Sequence, residues 1–242
     1  MDAKRVAIIA PMPSEMRPVV KMLGLSRAGE QGGIAVYTGS TGGIEVILSG
    51  TGIGPRQADT AMERLLQSTM VDRVIVSGIA GGLAPVSAVG DIVVPEEVVD
   101  SGTGERFRAT PVGAVTPRGI IRMGDADDYS LDDTDIEQLV ADGFTALDME
   151  TAAIARVCER YGVPWIAFRV ISDMAGDASL GPDVMTLVNA DGSPKVWAAL
   201  RYLVTHPHRI PLMVRVGRDS QAAATAAAGA AVANLRQSSD SA

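Results

Sequence analysis

Ala146-Leu147-Asp148-Met149-Glu150-Thr151-Ala152-Ala153-Ile154-Ala155 is where an apolar run gives way to a helix, with carboxylates set around a methionine at the changeover. Further on, Phe168-Arg169-Val170-Ile171-Ser172-Asp173 is a second strand-like run that also ends on charge. Ala146–Met149 and Trp165–Ile171 read as strands flanking a helix over Thr151–Tyr161. A strand end carrying Glu150 beside another carrying Asp173 suits a site that grips hydroxyls and protonates a leaving group.

Working outward, the same alternation continues toward the N-terminus. Val6–Ala10 is a short apolar run of the kind that forms a buried strand, followed by a turn at Pro11–Glu15 and a helix to Leu23. Gly32–Gly39 and Ile44–Ser49 read as strands joined at Gly42-Gly43. Gly50-Thr51-Gly52-Ile53-Gly54-Pro55 leads into a helix over Arg56–Gln67, and Arg73–Ser77 is another buried strand before the glycine cluster Gly78–Gly82. A further strand opens at Asp91–Pro95. Asp100–Arg118 reads as a loop, Gly119–Met123 as a strand, Asp125–Asp135 as a solvated acidic loop and Ile136–Ala141 as a short helix.

Toward the C-terminus, Met174–Pro194 reads as a loop, and Lys195–Val204 and Pro211–Arg236 as helices separated by His206-Pro207-His208. The alanine-rich stretch Ala222–Ala233 has high helix propensity but few large apolar anchors. No repeat or linker interrupts the chain. Residues 1–236 are expected to form a single domain and 237–242 a frayed tail. Alternating strands and helices predict an α/β protein with a mixed central sheet covered on both faces.

The chain has 242 residues, 47% of them apolar, enough for a substantial core. A net charge of −8 argues against a phosphate-backbone binder, so no nucleic acid partner is expected. No apolar run approaches the roughly 18 residues of a membrane span, and a cytoplasmic location is the default. Cys158 is the only cysteine and lies in a helical stretch without a histidine near it in sequence, so it reads as a small buried hydrophobe. His206 and His208 lack metal-ligand spacing with other His or Cys residues, and the acidic run lacks a calcium-loop pattern; no metal is expected.

Three further motifs carry chemistry. Ala10-Pro11-Met12-Pro13-Ser14-Glu15-Met16 is an acidic turn after the first strand, where Glu15 would also complement a helix dipole. Ser77-Gly78-Ile79-Ala80-Gly81-Gly82-Leu83-Ala84-Pro85 precedes Val89-Gly90-Asp91-Ile92-Val93-Val94, and its glycines would let backbone lie against a ligand. Gly50-Thr51-Gly52-Ile53-Gly54 is a glycine loop at a helix start, a setting that can cradle an anion.

Together with Met149-Glu150 and Arg169-Val170-Ile171-Ser172-Asp173, these motifs resemble the nucleoside phosphorylase and nucleosidase superfamily, and most closely the methylthioadenosine/S-adenosylhomocysteine nucleosidases. The resemblance spans Val6 to about Gly176. It implies a three-layer α/β/α phosphorylase-like fold and cleavage of an N-glycosidic bond. It casts Glu15 as the group that orients the attacking water, with Arg169 near that water. Met149 would pack on the sugar, and Glu150 would accept hydrogen bonds from its 2′- and 3′-hydroxyls. Asp173, held by Ser172, would be the acid toward the purine. Gly81 and Ile79 would line the ribose and base site. The small-molecule partner is then a nucleoside, no organic cofactor is implied, and a homo-oligomer such as a homodimer is expected.

The sequence departs from those nucleosidases in three places. Gly124-Asp125-Ala126-Asp127-Asp128-Tyr129 carries Asp127 where they stack the purine on a phenylalanine, so Asp127 is expected at a more polar base pocket, with Tyr129 as the alternative ring. The stretch between Val94 and Gly119 is shorter than theirs. Glu97-Val98-Val99-Asp100, Asp191-Gly192 and His206-Pro207 resemble hopanoid-associated phosphorylases. Val76 and Ile79 stand where bacterial purine nucleoside phosphorylases place an arginine and a serine, which favours water over phosphate. Phosphate stays open as a co-substrate through Arg17, Arg56 or Arg169. The alternatives are phosphorolysis of an adenosyl-hopanoid-like or other nucleoside, and a nucleoside-binding or storage protein without turnover.

Overall fold

The computed structural model describes residues 4–111, 115–125, 131–176, 195 and 210–237. In chain order the elements are β1 (Arg5–Ile9), α1 (Pro13–Leu23), β2 (Ser26–Gln31), β3 (Ile34–Thr41), β4 (Ile44–Ser49), α2 (Pro55–Ser68), β5 (Arg73–Gly82), β6 (Ile92–Val93) and β7 (Glu97–Asp100). They continue with β8 (Arg106–Arg108), β9 (Ile120–Met123), α3 (Asp133–Ala141), β10 (Phe144–Asp148), α4 (Thr151–Arg160), β11 (Trp165–Met174) and α5 (Ile210–Gln237).

The strands join in one 11-stranded sheet, ordered β2-β3-β4-β1-β5-β10-β9-β7-β8, with β11 on the opposite edge of β5 and β6 beside it. The middle of the sheet, β4-β1-β5-β11, is parallel, whereas β10 runs antiparallel to β5. The sheet is therefore mixed.

Side chains alternate across it, as the period of two in a strand requires. Ala7 and Ile9 of β1 pack with Ala58 and Met62 of α2 and Cys158 of α4. Val6 and Ile8 point the other way, into a cluster with Val19 of α1 and Ala228, Ala231 and Leu235 of α5. β11 repeats the pattern, with Trp165 and Ala167 on the first face and Ile166 and Phe168 on the second. Both faces are covered, which explains the continuous apolar runs of β1 and β5. This is the α/β/α layering expected from the sequence.

Two expectations are corrected, and the glycine cluster Gly78–Gly82, left without an element in the sequence, is the second half of β5. Asp100–Arg118 is not all loop, because β8 folds back antiparallel on β7. Part of the acidic run starts α3: Asp132 accepts from the Asp135 N–H at 2.9 Å, and Asp135 accepts from the Asp132 N–H at 3.1 Å, a reciprocal cap. α5, expected as a helix with few large apolar anchors, has its anchors in small residues. Ala223, Ala224, Ala227, Ala228 and Ala231 are buried with Val232 and Leu235, so the helix axis can lie close to β11 and α1.

Asp127, Tyr129, Asp191-Gly192, His206 and His208 lie outside the described residues, as do most of the expected loop and helix over 177–204 and the end of the tail at 238–242. No helix among the described residues is long and apolar enough to cross a membrane.

Candidate active site

One edge of β5 changes neighbours along its length. Arg73–Val76 pair with β1, and Gly81 and Gly82 pair with β10. Between them, Ser77–Ala80 have β11 as their only strand partner among the described residues. Backbone groups facing this gap need other partners. The Ile79 N–H donates to Glu15 Oε1 at 2.9 Å, and the Ile79 carbonyl accepts from Arg169 Nη1 at 3.2 Å. Three of the sequence candidates meet where the sheet is interrupted.

Glu15 reaches the gap from the first turn of α1. Its second oxygen, Oε2, accepts from the Met12 N–H at 2.7 Å. One carboxylate thus caps its own helix and bridges to β5, so the helix-start role and the site position coexist.

Glu150 stands at the N-cap of α4, but its side chain makes no capping bond. Asp148 does that work, accepting from the Thr151 N–H at 3.2 Å and from the Thr151 hydroxyl. Glu150 Oε1 instead accepts from the Gly54 N–H at 3.0 Å. Gly54 has φ 99°, a conformation suited to glycine, and this turns its N–H toward the carboxylate.

Arg169 of β11 ties these groups together. Its side chain is 1% exposed, with Nη2 2.9 Å from Asp148 Oδ2 and 3.4 Å from Glu150 Oε2. Nε and Nη2 also donate to Thr151 Oγ1 at 3.0 and 2.9 Å. At the neighbouring strand ends, Gly81 is in register with Leu147 of β10 on one side and Asp173 of β11 on the other. It therefore separates the end bearing half-buried Met149 from the end bearing Ser172 and half-buried Asp173. β11 bulges between Ile171 and Asp173, an irregularity that re-aims side chains as a strand leaves regular pairing. The Ser172 hydroxyl donates to Asp173 and lies 3.5 Å from the Ala80 carbonyl.

Three carboxylates, Glu15, Asp148 and Glu150, share one buried guanidinium. Burial raises Glu15 above the ordinary range, with Arg169 and the Ile79 and Met12 N–H groups opposing and Asp148 adding to the rise. Burial likewise pushes Glu150 up to about 7; Arg169 and the Gly54 N–H oppose this, while Asp148 and Glu15 reinforce it. Removing charge from water outweighs the single cation, so the cluster tends to hold a proton near neutral pH.

The chain from residue 5 to 133 and from 113 to 191 matches the family model for the phosphorylase superfamily. The chain belongs to this superfamily. Among curated proteins, it is 29% identical over 202 residues to the 5′-methylthioadenosine/S-adenosylhomocysteine nucleosidase of Anoxybacillus flavithermus, covering 72% of this chain and 87% of the relative. Among solved structures, the fold matches the Helicobacter pylori 5′-methylthioadenosine/S-adenosylhomocysteine nucleosidase with a TM-score of 0.72 at 18% identity, over the whole of both chains. It also matches the futalosine hydrolase of the same organism with a TM-score of 0.70 at 18% identity, over 99% of each chain.

Arg17 and Arg56, the other arginines weighed for phosphate, are exposed. Cys158 is the buried hydrophobe expected, its thiol pushed up to about 12 by desolvation. Sequence reasoning did not single out Gly54, Gly78, Asp148 or Thr151. All four stand within stretches it quoted. Their roles depend on which backbone or side-chain atom faces Arg169 or Glu150, and a linear motif does not carry that.

Proposed function

We propose that this protein releases the base from a purine nucleoside or a 5′-modified adenosine of the methylthioadenosine/S-adenosylhomocysteine class, by hydrolysis. The observation that carries this reading is the Glu15–Arg169–Glu150 cluster in the β5 gap, with Asp173 one strand end away. In this mechanism Glu150 accepts hydrogen bonds from the ribose 2′- and 3′-hydroxyls, and the carboxylates stabilise positive charge growing on the sugar. Asp173, protonated, gives its proton to N7 as the C1′–N9 bond breaks. Water attacks C1′, and Glu15 takes the proton that the water loses. Arg169 sets Glu15 and Glu150 in place and, with all its nitrogens engaged, is a poor grip for phosphate.

The assembly proposed is a homo-oligomer. Val86, Val89 and Ile92, each an exposed apolar side chain in the segment after β5, support it. The compartment proposed is the cytoplasm.

The test is chromatographic. Purified protein is incubated with adenosine, inosine, methylthioadenosine and S-adenosylhomocysteine, with and without phosphate. Free base and free ribose (or the 5′-modified ribose), at a rate indifferent to phosphate, are expected. Base release that needs phosphate and yields a sugar 1-phosphate would replace hydrolysis by phosphorolysis. Nucleoside binding without base release would leave a binding protein.

A further inference from the structure

Asp148 closes β10 and Glu150 opens α4, two positions later, and both carboxylates reach the guanidinium of Arg169. They do not share it equally. Nη2 lies 2.9 Å from Asp148 Oδ2 but 3.4 Å from Glu150 Oε2, beyond the usual length of a good hydrogen bond. Thr151 adds to the difference. Its Oγ1 accepts from Arg169 Nε and Nη2, its hydroxyl donates to Asp148 Oδ2, and its N–H donates to Asp148 Oδ1. The guanidinium is therefore anchored on the Asp148 side.

The side chains of Arg169 and Asp148 are each 1% exposed, so water screens their attraction little. With the charge of Asp148 gone, Arg169 would be drawn onto Glu150, the next carboxylate oxygen from Nη2. Glu150 Oε1 already accepts the Gly54 N–H, so Oε2 is the oxygen at stake. A guanidinium closed on it would compete with the sugar hydroxyls for the same lone pairs. No step of the mechanism above uses Asp148.

We propose that Asp148 is a positioning residue: it draws Arg169 to itself, holds the guanidinium off Glu150 and so keeps Glu150 open to the sugar hydroxyls. The inference rests on the nucleoside-cleaving reading and adds a residue to it. Among the described residues, the charged groups facing Glu150 are Arg169 from β11, Asp148 from β10 and Glu15 from α1, with the Gly54 N–H ahead of α2. Asp148 and Glu15 oppose ionisation of Glu150, and Arg169 favours it. Neutralising Asp148 removes one opposing charge and brings the cation nearer, so both effects favour the ionised form.

The test is Asp148→Asn, close in size and without the charge. In the wild type, kcat/KM should rise with pH as Glu150 ionises at about 7. In Asp148→Asn this rise should move to lower pH. The preference for ribosides over 2′-deoxyribosides should fall about tenfold, the scale of a hydrogen bond to a charged group. Asp148→Glu keeps the charge and should keep the rise where it is, whatever its overall rate. A purely structural role would lower the rate without moving the profile. A rise that stays in place in Asp148→Asn, an equal move in Asp148→Glu, or an unchanged riboside preference overturns the proposal. If Asp148→Asn does not fold, Asp148→Ser, neutral and still able to accept the Thr151 N–H, is read in the same way. Failure of both to fold would make Asp148 a folding residue and overturn the proposal as well. If no nucleoside loses its base, the cleavage reading fails by itself. Ionisation of Glu150 is then followed by carbon-13 NMR of the ligand-free proteins labelled in their glutamates, with Glu150→Gln assigning the signal. The same comparison of Asp148 variants decides whether Asp148 governs Glu150.

Discussion

Gly78 lies against Arg169 with no room for another atom: a Cβ at this position would sit 2.4 Å from Nη1, and 2.6 Å from Glu15 Oε1. Both neighbours are buried and hydrogen-bonded, so neither can swing away freely. Gly78→Ala should therefore spread the Glu15–Arg169 pair while leaving the core strands intact. A fall in kcat of roughly tenfold to a hundredfold is expected, since small misplacements of catalytic groups are costly. Near-normal kcat in a folded Gly78→Ala protein would show that this contact does not set the cluster's geometry.

The raised Glu150 has a consequence for stability. Its folded value of about 7 lies above the ordinary 4.5, so folding favours the protonated form. Its stabilising contribution is fully present below about 4.5 and is lost as pH rises through about 7. Urea unfolding of the ligand-free protein between pH 5 and 8 should show stability falling with pH from this group. In Glu150→Gln the slope should be shallower. Parallel profiles would contradict the burial effect.

Thr151 is a positioning residue for Arg169, because its hydroxyl takes two guanidinium bonds and gives one to Asp148. Thr151→Val keeps the shape and removes the hydroxyl, leaving buried donors unsatisfied. We expect kcat to drop about tenfold, by the cost of roughly 1–3 kcal/mol for such a loss, with KM changing less. Thr151→Ser should restore most of the rate. If serine is no better than valine, packing rather than hydrogen bonding explains the effect.

Asp173→Asn removes the proposed acid and keeps the size. Turnover should fall by about 10²-fold or more while nucleoside binding, measured by calorimetry, is retained. Nucleosides with good leaving groups should suffer least, because they need the proton least. A uniform loss across leaving groups would point to misfolding or lost binding instead.

The central elements were legible because they obey simple periodicities. β10, α4 and β11 announce themselves as apolar run, helix and apolar run, and Glu150 and Asp173 were found at their ends. β2 was not legible. Its sequence, Ser26-Arg27-Ala28-Gly29-Glu30-Gln31, is polar and almost wholly exposed, and it is a strand only because β3 pairs with it. The Gly78–Gly82 half of β5 was read only as a glycine cluster and not as strand, because local propensity disfavours glycine in strands. Pairing with β11 on one side and β10 on the other overrides that preference. Thr151 was hidden for another reason: a threonine at a helix start reads as ordinary, and its value lies in an arginine 18 residues on.

The interruption along β5 also bears on how the molecule comes to be. Among the described residues, β5 joins the β1 side of the sheet to the β10 side, and the contacts that span the break link residues 64 and 90 positions apart. Such long loops close late, after local helices and hairpins have formed. During refolding, helical circular dichroism should return first, and the capacity to release a base should return last, as the two halves of the sheet come together around Ile79.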